Sequence, residues 1–279
     1  MLSSKQKDRF AADGYLVVEG FKSATEIGAL RARASEIVDA FDPSEAGAAF
    51  TTNDQARVAD AYFLGSGDKI RCFFEEEAFD AHGRLKQAKS FSINKIGHAM
   101  HDLDPVFDRF SRDRRLGEIA GELGIMRPQM WQSMYIFKQP SIGGEVRWHQ
   151  DATFFDTTPS TVTAFWFALE DADRANGCLW VEPGGHRGPL RERFVRTGDK
   201  VAMEPVDAAP WPTERTAMPV EVKAGTIVCF SGMLPHYSAP NRSSVSRHAY
   251  TLHLTDARAA YSPRNWLQRD PAMPVRGFG

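Results

Sequence analysis

The stretch Arg147-Trp148-His149-Gln150-Asp151 constrains this chain more than any other, because it sets an imidazole and a carboxylate two residues apart at the end of an extended run. A strand has a side-chain period of two, so His149 and Asp151 are expected on one face. To hold a metal facially they need a third group from elsewhere, and the best candidate is His236 in Leu234-Pro235-His236-Tyr237-Ser238. Two histidines and one carboxylate leave about half the positions of an octahedral ion open, the arrangement of non-haem Fe(II) oxygenases. An isolated His-x-Asp is common, so its meaning depends on the rest of the chain.

Beyond residue 130 the sequence reads as repeated short strands, over 130–137, 145–151, 162–169, 178–181, 220–230 and 248–255. Turn signals separate them, among them Gly143-Gly144, Asn176-Gly177, Pro183-Gly184-Gly185 and Ala224-Gly225. Many short strands with Gly and Pro turns predict a sandwich or barrel. Helical patterns concentrate earlier. Ser3 or Ser4 caps a short helix that Gly14 closes, and Ser23 or Thr25 opens a second through Ile27, Leu30, Ile37 and Val38. A third helical region, in one or two pieces, covers 104–124. The expected fold is mainly β with α: a jelly-roll, cupin-like double-stranded β-helix core over about 129–260, backed by a helical layer over about 1–128 and followed by a tail at 261–279. The 279 residues suit one such domain. Residues 41–61 carry little apolar periodicity and read as a loop of the kind that forms lids.

A formal net charge of -2 provides no field to attract nucleic acid or an anionic membrane. The three scattered cysteines, Cys72, Cys178 and Cys229, read as reduced core residues. With no apolar leader and no membrane-length run, the cytoplasm is the expected compartment.

Arg247 lies eleven positions after His236, enough for one strand to end and the next to begin. Its guanidinium offers a bidentate grip to a carboxylate, with the Ser238 hydroxyl adding a hydrogen bond. A 2-oxo dicarboxylate fits this layout, its near end on the metal and its far end on Arg247 and Ser238. Alternation over 91–97 puts Lys95 on one face with Ile93, and on pattern alone it reads as an edge lysine reaching water. His98, His101, His248 and His253 read as satisfied or surface histidines, His186 as part of a turn, and the run Arg187, Arg191, Arg193 and Arg196 as a solvated surface element near the substrate entrance.

An ordered series of segments then resembles the phytanoyl-CoA dioxygenase family of Fe(II)/2-oxoglutarate-dependent oxygenases, and within it the domain-containing protein 1 branch. The series includes Asp13-Gly14-Tyr15-Leu16-Val17, Ser92-Ile93-Asn94-Lys95-Ile96-Gly97-His98, Gln132-Ser133-Met134-Tyr135-Ile136-Phe137-Lys138, His149-Gln150-Asp151-Ala152, Asn176-Gly177-Cys178-Leu179-Trp180 and Asn265-Trp266-Leu267. It covers nearly the whole chain. The resemblance implies that His149, Asp151 and His236 bind Fe(II), and that Arg247 and Ser238 bind the far carboxylate of 2-oxoglutarate. It also implies that Lys95, Met134 and Trp166 line the cosubstrate pocket. The implied activity consumes O2 and 2-oxoglutarate, releases succinate and CO2, and hydroxylates a small molecule. Trp148 departs from the smaller residue, often Pro, that relatives carry before the first histidine. Two other functions fit the same residues: a non-enzymatic cupin-like metal-binding or sensor module, and another oxidation, such as desaturation, by the same iron centre. A metal binder alone has no need of Arg247 with Ser238.

Overall fold

A computed structural model describes residues 2–45, 61–198 and 200–278. The first helix, α1 (Ser4–Asp13), is opened by a capping box between Ser3 and Gln6 and ends at Gly14 in the left-handed conformation. It leads into β1 (Tyr15–Val18), and a second capping box, between Ser23 and Glu26, opens α2 (Ala24–Ala40). Among the described residues four further helices cover Ala61–Leu64, Met100–Leu103, Pro105–Ser111 and Arg114–Glu122, the last two being the two pieces expected over 104–124.

The remaining strands, in chain order, are β2 (Ile70–Phe74), β3 (Ile93–His98), β4 (Pro128–Ile136), β5 (Val146–His149), β6 (Thr157–Thr158), β7 (Thr163–Ala168) and β8 (Leu179–Val181). After them come β9 (Glu192–Thr197), β10 (Lys200–Pro205), β11 (Met218–Val220), β12 (Ile227–Ser231), β13 (His236–Ser238), β14 (Ala249–Asp256) and β15 (Ala260–Tyr261). Seven of them form one sheet in the order β1-β12-β7-β14-β4-β3-β2, and four form a second in the order β11-β8-β13-β5. Two smaller ribbons, β10-β9 and β15-β6, flank them.

The two sheets face each other, as a jelly roll requires. Trp166, Val228 and Ala249 of the large sheet pack in one cluster with Leu179, Val181 and Val220 of the small one. The opposite face of the large sheet buries Phe165, Phe167, Leu252 and Leu254 against Ile27, Leu30, Ala34 and Val38 of α2, together with Phe107, Phe110, Leu116 and Ile119. A central strand covered on both faces has no place for outward polar residues, and β7, Thr-Ala-Phe-Trp-Phe-Ala, is buried at every position.

Two sequence expectations need correction. Residues 220–230 are not one strand but parts of two, β11 and β12, in different sheets. Gly225 turns the chain between them at φ +92, where an added Cβ would lie 2.5 Å from the Lys22 carbonyl oxygen. The expected shared face of Ile93 and Lys95 also fails. Lys95 pairs with Phe73 and Ile93 with Phe74, because a register shift interrupts the β2–β3 ladder at Asn94. Ile93 therefore joins the helix-covered core, while Lys95 turns to the other side, over the rings of Phe63 and Phe73. The proposed lid at 41–61 falls largely on residues 46–60, which lie outside the described ones.

The capping box of α2 generates a stability prediction. Ser23→Ala removes the acceptor for the Glu26 amide and one partner of the Glu26 carboxylate. It should cost about 1 kcal/mol, read as a lower midpoint in denaturant unfolding.

Candidate metal centre and anion site

His149 is the last residue of β5, and His236 is the first of β13 and its direct register partner. Asp151 is not on the strand as expected but opens a short 3-10 turn, Asp151–Thr153. Gln150 between them stays extended (φ -120, ψ 133), so the alternation persists for one more residue and brings Asp151 to the same side as His149. Gln150 itself is anchored on the far side by hydrogen bonds to the carbonyls of Pro189 and Met233.

Ligand atoms of His149, Asp151 and His236 lie within 4.8 Å of one another. Each imidazole Nε2 is 3.6 Å from Asp151 Oδ1. Their tautomers follow from backbone contacts. His149 Nδ1 lies 2.8 Å from the Arg147 carbonyl oxygen and His236 Nδ1 lies 3.0 Å from that of Leu234. A carbonyl only accepts, so each Nδ1 carries the proton and each Nε2 presents a lone pair. Two lone pairs and a carboxylate oxygen converging on one point are what a divalent ion at ~2.1 Å from each donor demands.

His253 completes the cluster, and sequence analysis missed it by classing it as satisfied or surface. It stands on β14, 5 % exposed, with Nε2 3.3 Å from Asp151 Oδ2 and its ring stacked on Phe155 at 5.1 Å. Burial alone would raise the Asp151 pKa, but before a metal binds, protons taken up by His253, His236 and His149 around it hold the carboxylate below its usual range. The signal for His253 was available in the sequence. It shares strand parity with Arg247, and alternation puts Thr251 and His253 on one face.

Arg247 and Ser238 do come together. Arg247 is 1 % exposed; its Nε donates to the Gly177 carbonyl at 3.1 Å and its Nη2 to Ser238 Oγ at 3.2 Å. Nη1 is buried with no hydrogen-bond partner. Burial pushes the guanidinium pKa down to about 10, the mark of a desolvated cation short of negative charge. Ser238 Oγ also donates to the Gly177 carbonyl, at 2.9 Å, so the Asn176-Gly177 turn aligns both members. Only glycine suits that turn. At φ +83 an added Cβ would lie 2.7 Å from both the Ala239 carbonyl oxygen and Lys138 Cε.

The Arg247 guanidinium lies over the Trp166 ring at 5.5 Å. Trp166 pairs with Thr251, and Thr251 with Met134, so one row crosses the large sheet on its inner face. Gly97 of β3 is the next register partner in that row, and Lys95, two residues before it and 6 % exposed, reaches across to place Nζ 4.0 Å from Met134 Sδ. All eight residues singled out from the sequence therefore belong to one wall or the other of the gap between the sheets.

The other histidines divide. His101 is held by Ser133 and Asp102, and His248 by Tyr135, as satisfied side chains. His98 is buried among Phe63, Phe73 and Trp266, with Nδ1 2.7 Å from Ser66 Oγ and Nε2 unpartnered. His186 lies in a turn, as expected. The arginine run is not simply a solvated surface element. Two of its four residues, Arg193 and Arg196, lie on β9, where Phe194 and Val195 are buried, Arg191 is itself buried, and Arg193 pairs with Asp156.

The chain matches the family model described as phytanoyl-CoA dioxygenase (PhyH) over residues 10–249. It is 46% identical over 276 residues to phytanoyl-CoA dioxygenase 1 of Oryza sativa subsp. japonica, covering 98% of this chain and 97% of that one. It is 44% identical over 282 residues to phytanoyl-CoA dioxygenase domain-containing protein 1 of Bos taurus, covering 98% and 97%. Among solved structures, the epimerase SnoN in complex with Fe3+, alpha ketoglutarate and nogalamycin RO superposes with a TM-score of 0.66 at 19% identity, over 98% of this chain and 91% of that one. EctD from S. alaskensis with 2-oxoglutarate and 5-hydroxyectoine gives 0.64 at 21%, over 96% and 84%.

The contact between His253 and Asp151 yields a prediction. His253→Leu should keep the fold and lower Fe(II) affinity by about 10- to 100-fold, the usual cost of removing a group that orients a metal ligand. Anaerobic Fe(II) titration measures it, and unchanged affinity would leave His253 with a packing role alone.

Proposed function

Because the chain belongs to the phytanoyl-CoA dioxygenase (PhyH) family, we propose that this 2-oxoglutarate-dependent dioxygenase hydroxylates a small-molecule substrate at an iron held by His149, Asp151 and His236. Bound there, the iron supplies O2 activation coupled to conversion of 2-oxoglutarate into succinate and CO2. The donor set fits it: two lone pairs fixed by backbone carbonyls and one buried carboxylate within reach of both. Arg247 and Ser238 grip the far carboxylate of 2-oxoglutarate, with Trp166 and Met134 as walls and Lys95 at the flank.

The observation that carries this reading is the buried Arg247 with its unpartnered Nη1. A guanidinium out of water costs free energy that an anion must offset, and a module that only binds metal has no use for one. Phe155 stacks on His253, and Phe63 and Phe73 lie beneath Lys95, so apolar rings border the site, which suits exclusion of water during reaction.

Each of His149→Ala, Asp151→Ala and His236→Ala should abolish stoichiometric iron binding, checked by metal analysis. Arg247→Ala should keep the iron and weaken 2-oxoglutarate by ~2–5 kcal/mol, the range for truncating one partner of a buried charge pair. Titration through the absorption band of the anaerobic Fe(II) complex reads it, and unchanged affinity would remove the clamp. Succinate release across a metabolite panel, with product mass analysis, tests the reaction. Desaturation of the stimulating metabolite would overturn hydroxylation while leaving the oxygenase assignment intact.

A further inference from the structure

Resting on that assignment of the pocket, we propose that Thr251 is a direct anchor for 2-oxoglutarate, its hydroxyl donating a hydrogen bond to the far carboxylate beside Arg247. Thr251 sits in the middle of β14 with its side chain 5 % exposed, and its Oγ1 is buried with no hydrogen-bond partner. Buried hydroxyls almost always have partners, and one that lacks a protein partner calls for another source. Its register neighbours are Met134 on one side and Trp166 on the other, and beyond Trp166 lies Val228. That row is otherwise apolar. A valine would fill the same β-branched shape there and satisfy everything the sheet requires, so the fold gives no reason for the hydroxyl.

Position supplies the reason. Trp166, the register partner of Thr251, carries the Arg247 guanidinium over its ring, so two residues with unpartnered buried donors, Thr251 and Arg247, neighbour the same indole. In the other direction, His253 is the next side chain on the same face and touches Asp151. One side-chain repeat along a strand is about 6.7 Å. That is close to the extended length of a five-carbon dicarboxylate, so a molecule whose near end meets the metal brings its far carboxylate to Thr251 and Arg247. A neutral donor there adds a charge-assisted hydrogen bond without placing a second buried cation beside Arg247.

The test uses the Fe(II)-loaded protein under anaerobic conditions, with 2-oxoglutarate titrated through its metal-to-ligand absorption band. Thr251→Val should weaken 2-oxoglutarate by about 10-fold or more, the ordinary effect of losing one hydrogen bond to a charged group. Thr251→Ser, which keeps the hydroxyl, should stay within about threefold of the parent, and iron content should be unchanged in both. Affinity in Thr251→Val within twofold of the parent overturns the proposal. So does an equal loss in both variants, which would assign the effect to strand packing. Arg247→Ala is measured alongside. If it weakens binding and Thr251→Val does not, only this inference fails; if neither does, the assignment of the pocket fails with it.

Discussion

A buried carboxylate ringed by three imidazoles is the constraint on which the site depends. Asp151 takes His149 and His236 at 3.6 Å on one oxygen and His253 at 3.3 Å on the other. Backbone carbonyls hold the protons of His149 and His236 on Nδ1, so their two lone pairs point at each other's space. Lone pairs and a carboxylate converging out of water repel unless a cation sits between them. The arrangement is therefore costly by itself and favourable with a metal, and the surrounding fold has to hold it in place.

It does so by dividing the labour between two sheets. His149, His236 and Ser238 come from the small sheet, while Met134, Trp166, Thr251 and His253 come from the large one. The contact between His253 and Asp151 ties the two across the gap. Such a gap can be polar only because the large sheet earns its burial elsewhere: its far face packs against α2 and the helices over 105–122. That helical layer carries the larger share of the core, so the inner face can give part of its area to the site beside the Trp166–Leu179 cluster.

Much of this was legible in the sequence, for identifiable reasons. His-x-Asp survives the end of β5 because Gln150 remains extended, and the spacing from His236 to Arg247 spans a strand end and a strand start. The N-caps of α1 and α2 are local, and local rules narrowed each to two residues, of which Ser3 and Ser23 are the caps. The failures arose where geometry is not local. Nothing in the residues 91–97 announces the register shift at Asn94 that sends Lys95 to the site side and Ile93 to the core. His253 is flanked by Leu252 and Leu254, which belong to the opposite face of the same strand and give the segment a core pattern. Counting by twos from Arg247 through Thr251 would have found it. The strand character of β9 was masked by its arginines, whose charges lie at the rim while Phe194 and Val195 go inward.

The two unmet demands of the site, an uncompensated guanidinium and a set of converging lone pairs, have a common thermodynamic consequence. Each ligand relieves strain that the other does not touch: metal answers the imidazoles and Asp151, and a dicarboxylate answers Arg247. Both bind the native state alone, so each raises stability by mass action, and loading with both raises it further. The same logic separates stability from function. Replacing Asp151 and His253 together by apolar residues of similar size removes a buried charge and its unsatisfied surroundings, a change that is often neutral or stabilising when both partners go. Fold stability without ligands therefore gives no reason for these residues to be here; their presence is explained by what they bind.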